Sequence, residues 1–254
     1  MTDKIKILFL GASPTNVHHL RLDEEVREIE SKIMAASQRD MFELKSQWAV
    51  RPTDLQEALL RFKPHIVHFS GHGSQAEEII LEDNDGKSRP VSKHALINLF
   101  KILKDNIRII VLNSCYSRPQ AEALSEVIDF TVGTSQAVKD KSAVAFAAAF
   151  YRGLAYGRSV HDAFELAKNE IDLKGLSGSD IPVLLVGDGA DSAGPFLDQS
   201  QHSSAATPPV AQSSDLNRGP QSVTISKQSG GVAINAPVNV GGDIVGGNKN
   251  TTNT

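Results

Sequence analysis

Two apolar runs of this chain each end in a side chain able to do chemistry. VHFSGHGS, from Val67, breaks at Gly71-His72-Gly73, and IIVLNSCYS, from Ile109, breaks at Asn113-Ser114-Cys115. Cys115 is the chain's single cysteine. A cysteine reacts as its thiolate, and an imidazole nearby can take the thiol proton or stabilise the resulting ion pair. Gly71 and Gly73 leave room for a substrate backbone to approach. The backbone N–H groups of Gly73 and Cys115 are then candidates for an oxyanion hole around a tetrahedral intermediate. This is the chemistry of a cysteine protease.

Each residue has an ordinary alternative. A lone buried cysteine commonly packs as a small hydrophobe, but polar Tyr116 and Ser117 follow this one directly after a strand. Glycines weaken a strand, so a histidine flanked by two of them is hard to explain as packing. His65 and His68 lie inside the preceding apolar run and read as structural; His161 reads as a helix-face residue.

Composition narrows the remaining classes. A net charge of −4 over 254 residues gives no general attraction to nucleic acid or membrane. One cysteine cannot form an internal disulfide, so a reducing cytoplasm is the expected compartment for a soluble protein. Zinc needs paired ligands that one cysteine and scattered histidines do not supply. GASPTN, after the first strand, lacks the Walker lysine and the dinucleotide fingerprint. The expectation is therefore no metal, no cofactor, no nucleic acid and no membrane.

Strand-like and helix-like segments alternate around these two ends. IKILFLGAS, FELKSQWAV, HIVHFSG, IRIIVLNS, DFTVGTS and IPVLLVGD read as strands, and EEIILEDNDGKSRPVS reads as a hairpin turning at Asp85-Gly86. Leu22, Val26, Ile29 and Ile33 recur at helical spacing. Further helices are expected after Thr53 and Ser92 as caps, in RPQAEALSEVI, in the Ala-rich KSAVAFAAAFYRGLAYG and in SVHDAFELAKNEI. The alternation predicts an α/β fold, a mainly parallel sheet covered by helices on both faces. Sites in such sheets form at the carboxyl ends of strands, where His72 and Cys115 stand.

The pattern divides the chain in three. Residues 1–189 form the globular domain. Residues 190–220 are rich in Ser, Gln, Pro and Ala and read as a flexible linker. Residues 221–254 carry short couplets such as Val232/Ile234 and Val238/Val240 between Gly, Asn and Pro. Each couplet is too small for a core, but copies stacked on one another could be stable.

HFSGHG and VLNSCYS together resemble the CHAT peptidases, the bacterial caspase-like branch of cysteine peptidases. Histidine precedes cysteine, and they stand 43 residues apart, close to the roughly fifty of caspases. KILFLGASP with LRLDEEVREI, and the segment VGTSQAVKDKSAVAFAAAFYRGLAYGRSVHDAFELA, extend the resemblance over nearly the whole globular part. It implies a caspase–hemoglobinase-like fold, His72 as base or ion-pair partner, Cys115 as nucleophile, and Gly73 and Cys115 N–H groups at the oxyanion. The caspase cysteine motif itself is absent, and Asn113 stands where metacaspases often carry aspartate.

The resemblance also bears on specificity and control. In several relatives acidic groups near Glu82, Asp83 and Asp85 line a pocket for a basic P1 residue; Asp83 and Asn113 are the substrate-binding candidates, and Asp140 either borders that pocket or caps the next helix. The tail resembles Gly/Asn-rich β repeats of bacterial antiviral-defence effectors. It implies a sensor or ATPase partner with a similar tail, or homo-oligomerisation through it, acting on a protein substrate. The competing functions are a catalytically silent caspase-like scaffold, and a receiver or nucleotide-binding α/β protein using GASPTN.

Overall fold

The computed structural model describes residues 4–197. Residues 198–220 of the linker expected over 190–220, and the whole repeat tail expected over 221–254, lie outside the described residues.

Hydrophobic strands buried on both faces build the centre of the sheet. Its order is β2-β1-β3-β6-β7-β8, with β1 Ile5–Ala12, β2 Phe42–Trp48, β3 Ile66–Ser74, β6 Ile109–Asn113, β7 Phe130–Thr134 and β8 Pro182–Val186. The first five run parallel, and β8 closes the sheet antiparallel to β7. The expected mainly parallel sheet is thus observed. The hairpin is also present: β4 Glu78–Glu82 pairs antiparallel with the end of β3 and with β5 Ser88–Ser92. Gly86 turns it at a φ of 70°, a conformation that glycine adopts without steric cost.

Each face of the sheet is covered by helices. α1 Leu22–Met34, α5 Asp140–Ala155 and α6 Val160–Leu173 pack over one core, which includes Phe9, Ile66, Val111, Phe150 and Tyr151. α2 Pro52–Phe62, α3 Lys93–Leu103 and α4 Arg118–Ser125 pack over the other, which includes Leu10, Phe69, Ile110 and Leu112. Ser92 caps α3 by accepting from the Ala95 N–H, as expected. α2 differs. Its cap is Arg51, not Thr53, because Pro52 opens the helix and Asp54 accepts the Arg51 N–H at 3.1 Å. The Arg51 guanidinium bonded to Asp54 holds that carboxyl below its ordinary range, although partial burial pushes the other way.

The packed region continues past the boundary expected at 189. Pro195 bridges to Ser159, and Phe196 is fully buried in the α1/α5/α6 core with Leu197 beside it. The signal was Phe196-Leu197, two large apolar residues opening an otherwise polar run.

α5 and α6 cross at Gly153, where a Cβ would stand 2.8 Å from both Cα and Cβ of Ala163. Gly153→Ala is expected to destabilise the domain by about 1–3 kcal/mol, the usual cost of overpacking. Urea unfolding followed by far-UV circular dichroism measures it.

Candidate active site

Strand periodicity sets which way the site faces. Ile66, Ile109 and Val111 point into the α1/α5/α6 core, while Val67, Phe69, Ile110 and Leu112 point to the opposite one. Alternation carries His68, Ser70 and His72 on β3, and Asn113 at the end of β6, onto the first of these faces, and Cys115 follows in the turn just beyond the strand. The two strands are direct neighbours in parallel register, and their last rung pairs Ser70 with Asn113. Beyond it β3 turns to pair with β4, through His72 and Ile80, while the chain leaves β6 and bends at Tyr116, whose φ is 58°. A non-glycine residue there is uncommon and costs local strain. Ser117 anchors this bend: its hydroxyl donates to the Leu112 carbonyl at 2.8 Å and accepts the Thr134 N–H at 3.0 Å.

His72 and Cys115 line one small cleft, about 50 Å³ in volume, with Glu25, Ser70, Asn113 and Asp140 also in its wall. Cys115 is partly exposed. A larger hollow of about 460 Å³ between α1 and α5 shares Arg21, Asp140 and Val144 with the cleft. Asp140 is part of the cleft wall and the first residue of α5, but it does not cap that helix: the N-cap is Lys139, and no side chain makes the capping bond.

His72 is oriented from the β1–α1 loop. Its Nε2 lies 2.7 Å from the carbonyl oxygen of His18. A carbonyl only accepts, so Nε2 carries the proton, and the neutral ring's lone pair is on Nδ1.

The loop bearing His18 is itself held by the hairpin. Glu82 accepts the Ser13 N–H at 2.9 Å, and the Ser13 hydroxyl accepts the Leu20 N–H at 3.1 Å and lies 3.3 Å from His19 Nδ1. Thr15 donates to the Gly86 carbonyl through its N–H at 2.8 Å and its hydroxyl at 3.0 Å. Asn16 accepts from the Ser88 N–H at 2.8 Å. The hairpin therefore supports the loop that orients His72. Its Asp83 carboxylate accepts the Lys87 N–H, which chiefly lowers its pKa, and the Asp85 N–H of the same turn, and Asp83 is not in the wall of the cleft. Asn113 is in that wall.

Ser13→Ala removes the bond to the Leu20 N–H, and Ser13 itself is not in the cleft wall. Relaxing His18 in this way should reduce alkylation of Cys115 by iodoacetamide several-fold, with little change in unfolding midpoint. A stopped-time mass measurement checks it; an unchanged rate would mean that the loop holds His18 without Ser13.

Gly71 and Gly73 have a role that the sequence did not suggest. A Cβ on Gly73 would overlap the carbonyl oxygen of Cys115, and one on Gly71 would sit 2.8 Å from the carbonyl oxygen of Ala12. The glycines admit neighbouring backbone, and Gly73 sets the bend after β3 directly against the residue that carries the thiol.

Beneath the cleft lies a polar cluster that sequence reasoning missed. Glu25, in the first turn of α1, is 3% exposed, and His68 is fully buried. Glu25 Oε1 accepts from His68 Nε2 at 2.9 Å and from Asn113 Nδ2 at 2.6 Å, and Oε2 accepts from the Ser70 hydroxyl. His68 Nδ1 lies 3.1 Å from the Tyr151 hydroxyl. Burial, and next the charge of Glu25, raise the Tyr151 pKa well above its ordinary value, so the phenol keeps its proton. A signal was present: Glu25 stands within the stripe of Leu22, Ile29 and Ile33, where a carboxylate needs a buried partner.

Residues 8–176 match the CHAT domain family. The chain belongs to that family. Over 182 residues it is 29% identical to a Roc-COR-CHAT protease from an unknown prokaryotic organism, covering 68% of this chain and 17% of that protein. Over 153 residues it is 23% identical to a probable protease of Gillisia limnaea (strain DSM 15749 / LMG 21470 / R-8282), covering 59% of this chain and 27% of that one. The chain thus spans about a sixth and about a quarter of these two relatives. Among solved structures, a secreted C11 cysteine protease from Bacteroides thetaiotaomicron, in complex with an irreversible peptide inhibitor, superposes with a TM-score of 0.51 at 10% identity, covering 71% of this chain and 65% of that one. The CHAT domain thus has the fold of a caspase-like peptidase. Among the described residues no helix is long and apolar enough to cross a membrane, and no cluster of His, Cys, Asp and Glu is able to hold a metal ion.

Proposed function

We propose that this CHAT domain is a cysteine endopeptidase with Cys115 as nucleophile and His72 as its base. The observation that carries the reading is that both residues line one cleft, with His72 Nε2 held by the His18 carbonyl. That bond leaves Nδ1 to accept the Cys115 proton. The thiolate attacks the scissile carbonyl carbon, and its π electrons move to oxygen. The N–H groups of Gly73 and Cys115 are the proposed donors to that oxyanion. Collapse of the intermediate breaks the C–N bond, and the His72 imidazolium gives its proton to the leaving amine. Water then attacks the thioester and His72 takes one of its protons; the C–S bond breaks, that proton returns to sulfur, and the carboxylic acid product gives its remaining proton to solvent.

The relatives' names support a protein substrate. Asp140 in the cleft wall is the candidate partner for a basic side chain at P1; Asn113 is the other candidate contact. The chain's family and its Gly/Asn-rich couplets support a regulated effector of bacterial defence, acting in the cytoplasm. In this reading a sensor or ATPase with a similar tail recruits it, or its own tails assemble, and either raises its local concentration without a new contact in the catalytic domain. The test is proteolysis in cells by the full chain and by a variant lacking residues 221–254. Equal proteolysis by both removes the tail from the account.

The competing reading is a silent scaffold with the same fold. Turnover that disappears in Cys115→Ala, with the fold retained, excludes it.

A further inference from the structure

Resting on the dyad reading above, we propose that Glu25 is a positioning residue. It sets the separation of His72 and Cys115 by clamping the last rung of the β3–β6 ladder. That rung is Ser70 paired with Asn113. Each of the two stands two residues before one member of the dyad. Beyond it the ladder between the strands ends, since His72 pairs with β4 and the chain turns at Tyr116. The rung is thus the final place at which β3 and β6 are held in register before the reacting side chains.

Both side chains of the rung reach the same carboxylate. Ser70 donates to Oε2 and Asn113 donates to Oε1 at 2.6 Å. The second Asn113 amide contact, at 3.5 Å, is the Ala143 carbonyl in α5. A third donor, His68, comes from β3 two rungs further back, at 2.9 Å. A carboxylate has about four acceptor positions, so three donors fix its orientation.

The cluster resists rearrangement for a second reason. Tyr151 keeps its proton and donates it to His68 Nδ1, so Nε2 holds the ring's own proton and directs it at Glu25. Phe9 stacks on the His68 ring at 5.1 Å and 13° between planes. Every partner is buried, so solvent competes little for these bonds. α1 thereby sets two strands through one group, and the strands set the dyad.

The test is iodoacetamide alkylation of Cys115 in the full chain, from about pH 5 to about pH 9. Wild type and His72→Ala define the two limits. Glu25→Met keeps the side-chain length and removes both acceptors. Its profile should fall onto that of His72→Ala, with a rate about tenfold or more below wild type at neutral pH, since small misplacements of reacting groups have effects of that order. Glu25→Gln should keep most of the wild-type rate, because its amide oxygen still accepts from His68 and Asn113 while its NH₂ donates to Ser70. Where Glu25→Met does not fold, the Ser70→Ala/Asn113→Ala pair releases the rung and leaves the Glu25–His68 bond; it should show the same collapse. A wild-type profile in folded Glu25→Met, or in the pair, overturns the proposal. Identical profiles for wild type and His72→Ala overturn the dyad reading itself, and the proposal with it.

Discussion

Cys115→Ala should abolish peptide-bond cleavage, and His72→Ala should lower it by about 10³-fold or more, both with unchanged unfolding midpoints. The expectation follows from what each substitution removes. Alanine at 115 leaves no atom to form the thioester, so no partial pathway remains. Alanine at 72 leaves the thiol but removes the acceptor for its proton and the donor to the leaving amine. Residues that act as one unit are strongly non-additive. The double variant should therefore be no worse than Cys115→Ala alone. Neither side chain belongs to the two hydrophobic cores, so stability should hold. Steady-state cleavage of a protein substrate, beside thermal unfolding, measures both. Residual turnover in Cys115→Ala would place the nucleophile elsewhere.

Gly73→Ala should be nearly as damaging, for a steric reason. The new Cβ would clash with the Cys115 carbonyl oxygen. That atom is backbone and cannot rotate away. The bend carrying Cys115 is also pinned just after it, by the left-handed Tyr116 and by the hydrogen bonds of Ser117. The bend after β3 must then move, and His72 moves with it. Activity should fall by about a hundredfold or more, as expected when reacting groups are displaced by about 1 Å, and stability by about 1–3 kcal/mol. Gly71→Ala is the informative comparison. Its Cβ meets the Ala12 carbonyl at 2.8 Å, away from Cys115, so it should cost stability with less loss of activity. Equal losses of activity in the two would mean that the Gly73 contact has no special relation to the thiol.

The sequence made the two strand ends legible because both depend on local pattern. An apolar run that stops at a polar residue next to small ones is visible without knowing its neighbours. The strand types and the hairpin turn at Gly86 were legible for the same reason. Neighbouring positions of β3 and β6 followed only from the general behaviour of parallel sheets. What stayed hidden is long-range. Glu25 is 43 residues from His68 and 88 from Asn113. Each looked ordinary alone, and only their convergence makes a clamp. His18 acts through a carbonyl, which every residue has, so no side chain marked it. Asp83 drew notice as an acid after the histidine, while its neighbour Glu82 reaches the Ser13 N–H that supports the loop. The glycines beside His72 were noticed, but the atoms they admit belong to Cys115 and Ala12.

The central claim is that His72 activates Cys115. The most direct test is mass-spectrometric mapping of adducts after treating the full chain with peptidyl acyloxymethyl ketones bearing Arg, Lys, Asp or Leu at P1. It is run on wild type, His72→Ala and Cys115→Ala, with the tail free and with the tail forcibly oligomerised. The account predicts an adduct on Cys115 in wild type that is lost in His72→Ala. An adduct formed equally well without His72, or none in either tail state, would contradict it.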